Sequence, residues 1–227
     1  MVIDAGPDFR QQMLRANPPT LDAVVFTHEH KDHVAGLDDI RPFNFLQGKR
    51  INVYATENVE KALRREYHYI FSDEKYPGVP EIDLQRINTE PFCVRGHLVI
   101  PIQVYHHHLP VLGFRLGPFA YITDANRIDE SELAKLEGLD VLVLNALRRE
   151  PHLSHFSLNE AIELAKRVGA ARTYFTHISH QMGLHAEVQR ELPNGLFLAY
   201  DGLVLQWDEK GILNNSLTHQ KTVQPLG

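Results

Sequence analysis

The stretch VVFTHEHKDHVAGLDD, residues 24–39, puts three histidines and two acids into the six positions His28 to His33, directly behind a β-branched apolar run. Such a run is costly to bury and gains little as ordinary surface. Bound cations would compensate for it. In an extended or tightly turned loop, His28 and His30 lie two apart and point to the same side. Asp32 and His33 follow after a turn and aim at a second point close by. Imidazole nitrogens and carboxylate oxygens suit zinc, manganese or iron. Four donors so close in sequence seldom serve one ion with good geometry, so two adjacent divalent metals are the natural solution. The bland alternative, a solvated loop with incidental histidines, would win for an isolated H-x-H. It is disfavoured for H-x-H-x-D-H behind a strand.

Working outward, other histidines and acids also fall just past strand-like runs. His106, His107 and His108 follow IPIQVY, Asp124 follows FAYIT, and His177 follows RTYFT. Loops at one end of a sheet are where rigid scaffolds place chemistry, so four strand ends offering donors predict one convergent site. The runs LDAVVFT, INVYA, HLVIPIQVY, VLGFRL, FAYITD, LDVLVLN, ARTYFTH and GLVLQW read as strands. Thr56–Ile70 and Ser157–Val168 read as helices; SLNE at 157–160 forms a capping box and Gly169 supplies the stop. Strands mixed with helices predict a layered α/β domain over 1–207. The stretch 72–85 reads as a proline- and glycine-marked rim loop, and 208–227 as a peripheral tail. MVIDAGPDFR reads as the end of a strand, so earlier strands of the fold are expected to be missing.

With 227 residues, 43% hydrophobic and 23% charged, the chain can bury a full core. A net charge of −6 gives no basic field for nucleic acid or anionic membrane. No membrane span or signal peptide is visible, so a cytoplasmic protein is expected. A homo-oligomer is compatible with the sequence. One cysteine, Cys93, against 14 histidines rules out an internal disulfide and a cysteine-rich zinc knuckle.

THEHKDH resembles the signature of the metallo-β-lactamase superfamily of binuclear metallohydrolases. HHLPVLGFR (107–115) resembles an element of its tRNase Z and PhnP-type phosphodiesterase branch. YITDA (121–125), HFSLNEA (155–161) and THISH (176–180) are similar to that branch's later elements, in order. The resemblance implies an αββα sandwich. It assigns His28, His30 and His107 to one metal, Asp32, His33 and His177 to the other, and Asp124 as the bridge. Zinc or manganese fits, and iron too. The resemblance makes His155 the proton donor to the leaving group and gives Asp32 a catalytic part. It implies hydrolysis of a small phosphodiester, such as a cyclic phosphoribosyl phosphate, by a hydroxide shared between the metals. A tRNase Z-type endonuclease and a thioester or lactone hydrolase are the alternatives. The compact region 44–92, mixed in charge, lacks the basic arm that grips tRNA, which makes a nucleic-acid substrate the weaker reading.

Within HHH, spacing to Gly113 selects His107 as ligand, with His106 the fallback, because successive strand side chains alternate. His152 is the second choice for the proton donor. His180 is either a neighbour of the ligands or surface. His68, His97, His185 and His219 read as structural or exposed. Asp8, Asp38 and Asp39 are candidate acceptors for ligand imidazole N–H groups or helix caps. Arg41 and Arg115 are candidates for phosphate contact or surface pairing.

Overall fold

The computed structural model describes residues 1–208 and 211–214. The first part alternates short strands and helices: β1 (Val2–Ile3), α1 (Phe9–Ala16), β2 (Ala23–Val25), α2 (Lys31–Val34), α3 (Arg41–Gln47), β3 (Ile51–Ala55), α4 (Glu57–Glu66), α5 (His68–Phe71) and β4 (Ile82–Arg86). Its strands form a parallel sheet in the order β1-β2-β3-β4. The chain continues through β5 (Phe92–Val94), β6 (His97–His106), β7 (Leu109–Leu116), β8 (Phe119–Ile122), β9 (Arg127–Ile128), α6 (Glu130–Leu133), β10 (Val141–Asn145), α7 (Leu158–Val168), β11 (Arg172–Thr176), α8 (His185–Glu191) and β12 (Leu196–Leu198). These strands make a second sheet, ordered β12-β11-β10-β8-β7-β6-β5, with β9 beside β6.

Strand alternation sorts the apolar side chains into separate layers. On β3, Ile51, Val53 and Ala55 face a cluster with Phe9 of α1 and Val59 and Leu63 of α4, while Tyr54 points to the other side. Between the sheets lie Ala23 and Val25 of β2 against Val99, Leu112 and Phe114 of β6 and β7. The far face of the second sheet packs Ile102, Val104, Leu142 and Leu144 on Leu158, Ala161 and Ala165 of α7. Helix, sheet, sheet and helix therefore stack as four layers: the expected αββα sandwich. The capping box at Ser157–Glu160 and the left-handed stop at Gly169 bound α7 as the sequence predicts.

Three expectations need correction. The helix expected over Thr56–Ile70 breaks at Tyr67 (φ −120°, ψ 41°), whose hydroxyl is drawn away to donate to the Val34 carbonyl at 2.8 Å. The rim loop expected over 72–85 gives way at Ile82 to β4, which extends the parallel sheet from β3. Of GLVLQW, only its last two residues enter a strand, β13 (Gln206–Asp208), paired antiparallel with β14 (Gly211–Asn214). That pair straddles the expected boundary at 207; residues 209–210 and 215–227 of the expected tail lie outside the described residues.

Two glycines press the His28–His33 loop onto the turn after β1. A Cβ at Gly6 would meet the Asp32 carbonyl oxygen at 2.4 Å, and one at Gly36 would meet the Gly6 carbonyl oxygen at 2.2 Å. No real side chain fits either gap.

Candidate metal centre

In the second sheet β6 runs antiparallel to β7 and β7 to β8, while β8, β10 and β11 are parallel. The C-terminal ends of β6, β8, β10 and β11 therefore share one edge. His106, Asp124 and His177 stand there, and His28 reaches the same place from β2. Asp124 is the hub. Its Oδ2 lies 2.9 Å from His33 Nε2 and 3.3 Å from His177 Nδ1, and its Oδ1 lies 3.4 Å from His155 Nδ1. Asp32 Oδ2 comes within 3.4 Å of His33 Nε2 from the exposed side. His28 Nε2 and His30 Nδ1 are 3.1 Å apart, and the His30 ring is 5.1 Å from that of His106.

His28, His33, Asp124 and His155 are buried, yet His33 Nε2 and His155 Nδ1 make no aligned hydrogen bond. Buried polar atoms without partners are rare in native proteins. Short donor-to-donor distances without hydrogen-bond alignment are what lone pairs look like when they aim at a common point. Among the described residues, three donor sets converge this way: His28/His33/Asp124, Asp32/His33/His177 and His106/Asp124/His155. Nitrogen and oxygen donors in this number fit divalent cations.

The tautomers are set from outside the cluster. Asp4, just past β1, accepts the Thr27 backbone N–H at Oδ1 (2.8 Å) and both the Thr27 hydroxyl (2.8 Å) and His33 Nδ1–H (2.7 Å) at Oδ2. With its one proton given to Asp4, the Thr27 hydroxyl accepts from His28 Nδ1–H at 2.9 Å. Both imidazoles thus turn Nε2 inward. At β10, Asn145 clamps Ala125 from both sides, accepting its N–H and donating to its carbonyl, each at 2.9 Å. Asn126 accepts the His107 N–H and donates to the Leu153 carbonyl, joining the β6–β7 turn to the His155 loop.

Burial lowers His28, helped by the neighbouring His33, to about 2, and burial holds His155 at about 4 despite Asp124. Burial also opposes charge on His33, but the carboxylates of Asp124 and Asp4 overcome it and lift the ring to about 10. Asp124 resists burial likewise: His33 and His177 hold it below the usual carboxylate range. Burial pushes the Asp4 carboxyl up, with His33 and Thr27 pulling against it. Without a cation, the protein places a proton on His33 between two carboxylates. A positive charge is wanted at that point.

His107 does not join the cluster. β6 ends by pairing His106 with Leu109, so His107 and His108 form a two-residue turn, and His107 takes a left-handed φ of 57°. Its ring is exposed and lies against His108 with centroids 3.7 Å apart. His106 faces inward instead, donating from Nδ1 to the Ser154 carbonyl at 2.9 Å. The candidate acceptors also change. Asp8 is exposed at the head of α1, Asp38 accepts the Tyr69 hydroxyl, and Asp39 pairs with Arg10; Asp4 takes the role expected of them. Arg115 is tied to the carbonyls of Gly117, Lys135 and Glu137, and Arg41 reaches the Gly78 carbonyl at 3.4 Å. His68, His97, His180 and His185 are exposed, and His219 lies outside the described residues.

The sequence model of the beta-lactamase superfamily domain matches residues 1–178. A solved structure described as a new diphosphatase from the PhnP family is 41% identical, with a TM-score of 0.82, over 88% of this chain and 76% of that one. The chain belongs to the beta-lactamase superfamily and, within it, to the PhnP family. It is a metal-dependent hydrolase, and the superfamily fold implies divalent metal ions at the site just described. The short form of human tRNase Z shares the fold at 16% identity, with a TM-score of 0.68, covering 95% of this chain and 88% of its own. An octanoyltransferase of Porphyromonas gingivalis strain W83 is 40% identical over 214 residues, 93% of this chain. The chain spans 43% of that relative's length. Among the described residues, no helix is long and apolar enough to cross a membrane.

Proposed function

We propose that this hydrolase cleaves a small phosphodiester or diphosphate. In this reading His28, His30, Asp32, His33, His106, Asp124 and His177 hold two divalent cations, and His155 serves the leaving group. The observation that carries it is the convergence on Asp124 of imidazole nitrogens from separate strand ends, with His155 Nδ1 buried, unpartnered and 3.4 Å from Asp124 Oδ1. Bound there, the cations supply Lewis acidity toward a phosphoryl oxygen and acidify water. Asp124 holds the imidazoles around itself, and Asp4, directly and through Thr27, anchors the outer Nδ1–H of His33 and His28, so that Nε2 is the nitrogen each turns to a cation. Asp32, exposed at the mouth, accepts a hydrogen bond from the attacking water. As the phosphorus–oxygen bond to the leaving group breaks, His155 gives its proton to the departing oxygen. Asp124 and an incoming anionic phosphoryl group favour the protonated ring against the burial that holds it neutral in the free protein.

The donor set of nitrogen and oxygen atoms suits zinc and manganese, and iron equally. The 41% identical relative is described as a diphosphatase, which places diphosphates beside cyclic phosphoribosyl diesters among the substrates to try. The octanoyltransferase name belongs to a much longer protein, and covalent acyl transfer calls for a nucleophile at the site. The single cysteine, Cys93, is opposite Leu98 on β6, eight residues from His106, or ~26 Å along an extended strand. The test is a panel with metal-reconstituted protein: a cyclic phosphoribosyl diester, ADP-ribose, bis(4-nitrophenyl) phosphate, a thioester and a lactone. Turnover of diesters or the diphosphate is expected. Fast thioester or lactone hydrolysis with no phosphoryl substrate cleaved would overturn the reading.

A further inference from the structure

Ser154 stands between two imidazoles and treats them oppositely. Its carbonyl accepts from His106 Nδ1 at 2.9 Å; its backbone N–H donates to His152 Nδ1 at 3.3 Å, and its hydroxyl lies 3.4 Å from the same nitrogen. A carbonyl only accepts and a backbone N–H only donates. His106 therefore carries its proton on Nδ1 and keeps Nε2 bare, while His152 keeps Nδ1 bare and carries Nε2–H. One residue's backbone makes its first neighbour a cation ligand and its second a hydrogen-bond donor.

His152 occupies the outer end of a row of rings. It is 5.0 Å from His155, which is 4.5 Å from His106 and 4.9 Å from His177. It is half-buried at the mouth, and among the described residues its Nε2–H has no acceptor. Arg148, four residues earlier, is no competitor for that role: its guanidinium donates to Gln181 and to the carbonyls of Glu150 and Pro151.

We infer that His152 is a substrate-binding residue, held by Ser154 as its Nε2–H tautomer to grip an anionic oxygen on the leaving-group half of the substrate. The inference rests on the reading of His155 as donor to the leaving oxygen, which puts that half of the substrate on the His152 side. It gives the site a preference for leaving groups that themselves carry a phosphoryl or similar anionic group.

Three variants separate this role from a structural one. His152→Ala removes both ring nitrogens. His152→Asn keeps an acceptor for the Ser154 N–H but no outer donor, and His152→Gln restores a donor near the Nε2 position. In zinc-loaded protein, the ratio of pyrophosphate to orthophosphate affinity, measured by calorimetry, is expected to fall about tenfold in the Ala and Asn variants and to recover in Gln, as for one charge-assisted hydrogen bond at a half-exposed site. The loss of kcat/KM on ADP-ribose is expected to exceed that on bis(4-nitrophenyl) phosphate by a similar factor, through KM. An affinity ratio unmoved by His152→Ala overturns the inference whatever the protein hydrolyses. If the unaltered protein cleaves neither substrate, the phosphoryl-hydrolase reading fails by itself, and the pyrophosphate ratio still decides the role of His152.

Discussion

Asp4→Asn is the most searching perturbation of this site, because it changes no ligand. Asparagine tolerates the left-handed φ of 60° at this position. The Thr27 backbone N–H, a fixed donor 2.8 Å from Oδ1, orients the new amide oxygen, so the NH2 group replaces Oδ2. That group faces the Thr27 hydroxyl and His33 Nδ1, both of which now have to accept. The hydroxyl turns and donates to His28 Nδ1 instead of accepting from it. Both imidazoles shift their proton to Nε2, the atom they present to the cations. Loss of one such supporting contact weakens metal binding about 10–100-fold. With two ligands reversed at once, the upper end is expected, about 2.7 kcal/mol. Metal-free Asp4→Asn also loses its carboxylate beside protonated His33, a charge-assisted hydrogen bond worth ~1.5–3 kcal/mol in urea unfolding. Zinc affinity is read by competition with a chromophoric chelator, with circular dichroism confirming the fold. Folded Asp4→Asn that binds zinc within a few-fold of the unaltered protein would refute the tautomer argument.

Removing His106 as Ala is expected to weaken one zinc site by about 100-fold or more, while His107→Ala stays within a few-fold; metal counts after dialysis read the difference. His155→Ala is expected to lower kcat about 10²–10⁴-fold on an alkyl phosphodiester, and much less on a nitrophenyl ester whose leaving group needs no proton. Stability of the metal-free protein is expected to peak near pH 6.5. Native His33, lifted to about 10 from its ordinary 6.5, binds more proton than the unfolded chain between those values, so stability falls as pH rises through that window. His28 and His155, held at about 2 and about 4, stay neutral where the unfolded chain protonates, so stability also falls as pH drops below 6.5. Each group contributes a slope of up to about 1.4 kcal/mol per pH unit. Urea midpoints across pH, with and without zinc, check both arms; a metal-free alkaline arm that stays flat would sink the assignment of His33.

What could be read in advance was local. H-x-H-x-D-H carries its meaning in its spacing, and the capping box of α7 lies within four consecutive residues. The failures are tertiary. His106 and His107 differ by where β6 stops, and a two-residue turn there reverses which ring faces inward, a detail that strand alternation alone does not fix. Asp4 reaches Thr27 and His33 across 23 and 29 positions, so nothing beside it in sequence marks it as their acceptor. The available signal was an acid directly behind the apolar pair Val2–Ile3, which is an ordinary way for a strand to end. Tyr67 breaks its helix for a carbonyl 33 positions away. Asn145, a fully buried amide ending VLVLN, was the one missed residue with a readable clue, since a buried polar side chain at a strand end has to be hydrogen-bonded.

Asp4, Asp124 and His177 have one more property in common. Each sits one or two residues past a strand, and each is in the left-handed region, with φ of 60°, 53° and 55°. A side chain that continued a strand would point above or below its sheet, into a core layer. A left-handed residue turns it across the sheet edge instead, toward the neighbouring strand ends. Each such residue costs on the order of 1–3 kcal/mol in backbone strain, and the surroundings hold all three in place. Thr27 ties down Asp4, the Asn145 clamp fixes the backbone beside Asp124, and the Ala146 N–H holds the Thr176 carbonyl next to His177. The strain buys nothing for a metal-free protein, where it leaves His33 protonated and buried nitrogens unpartnered. It makes sense only if the native state is completed by cations, which bind the folded arrangement and not the unfolded chain.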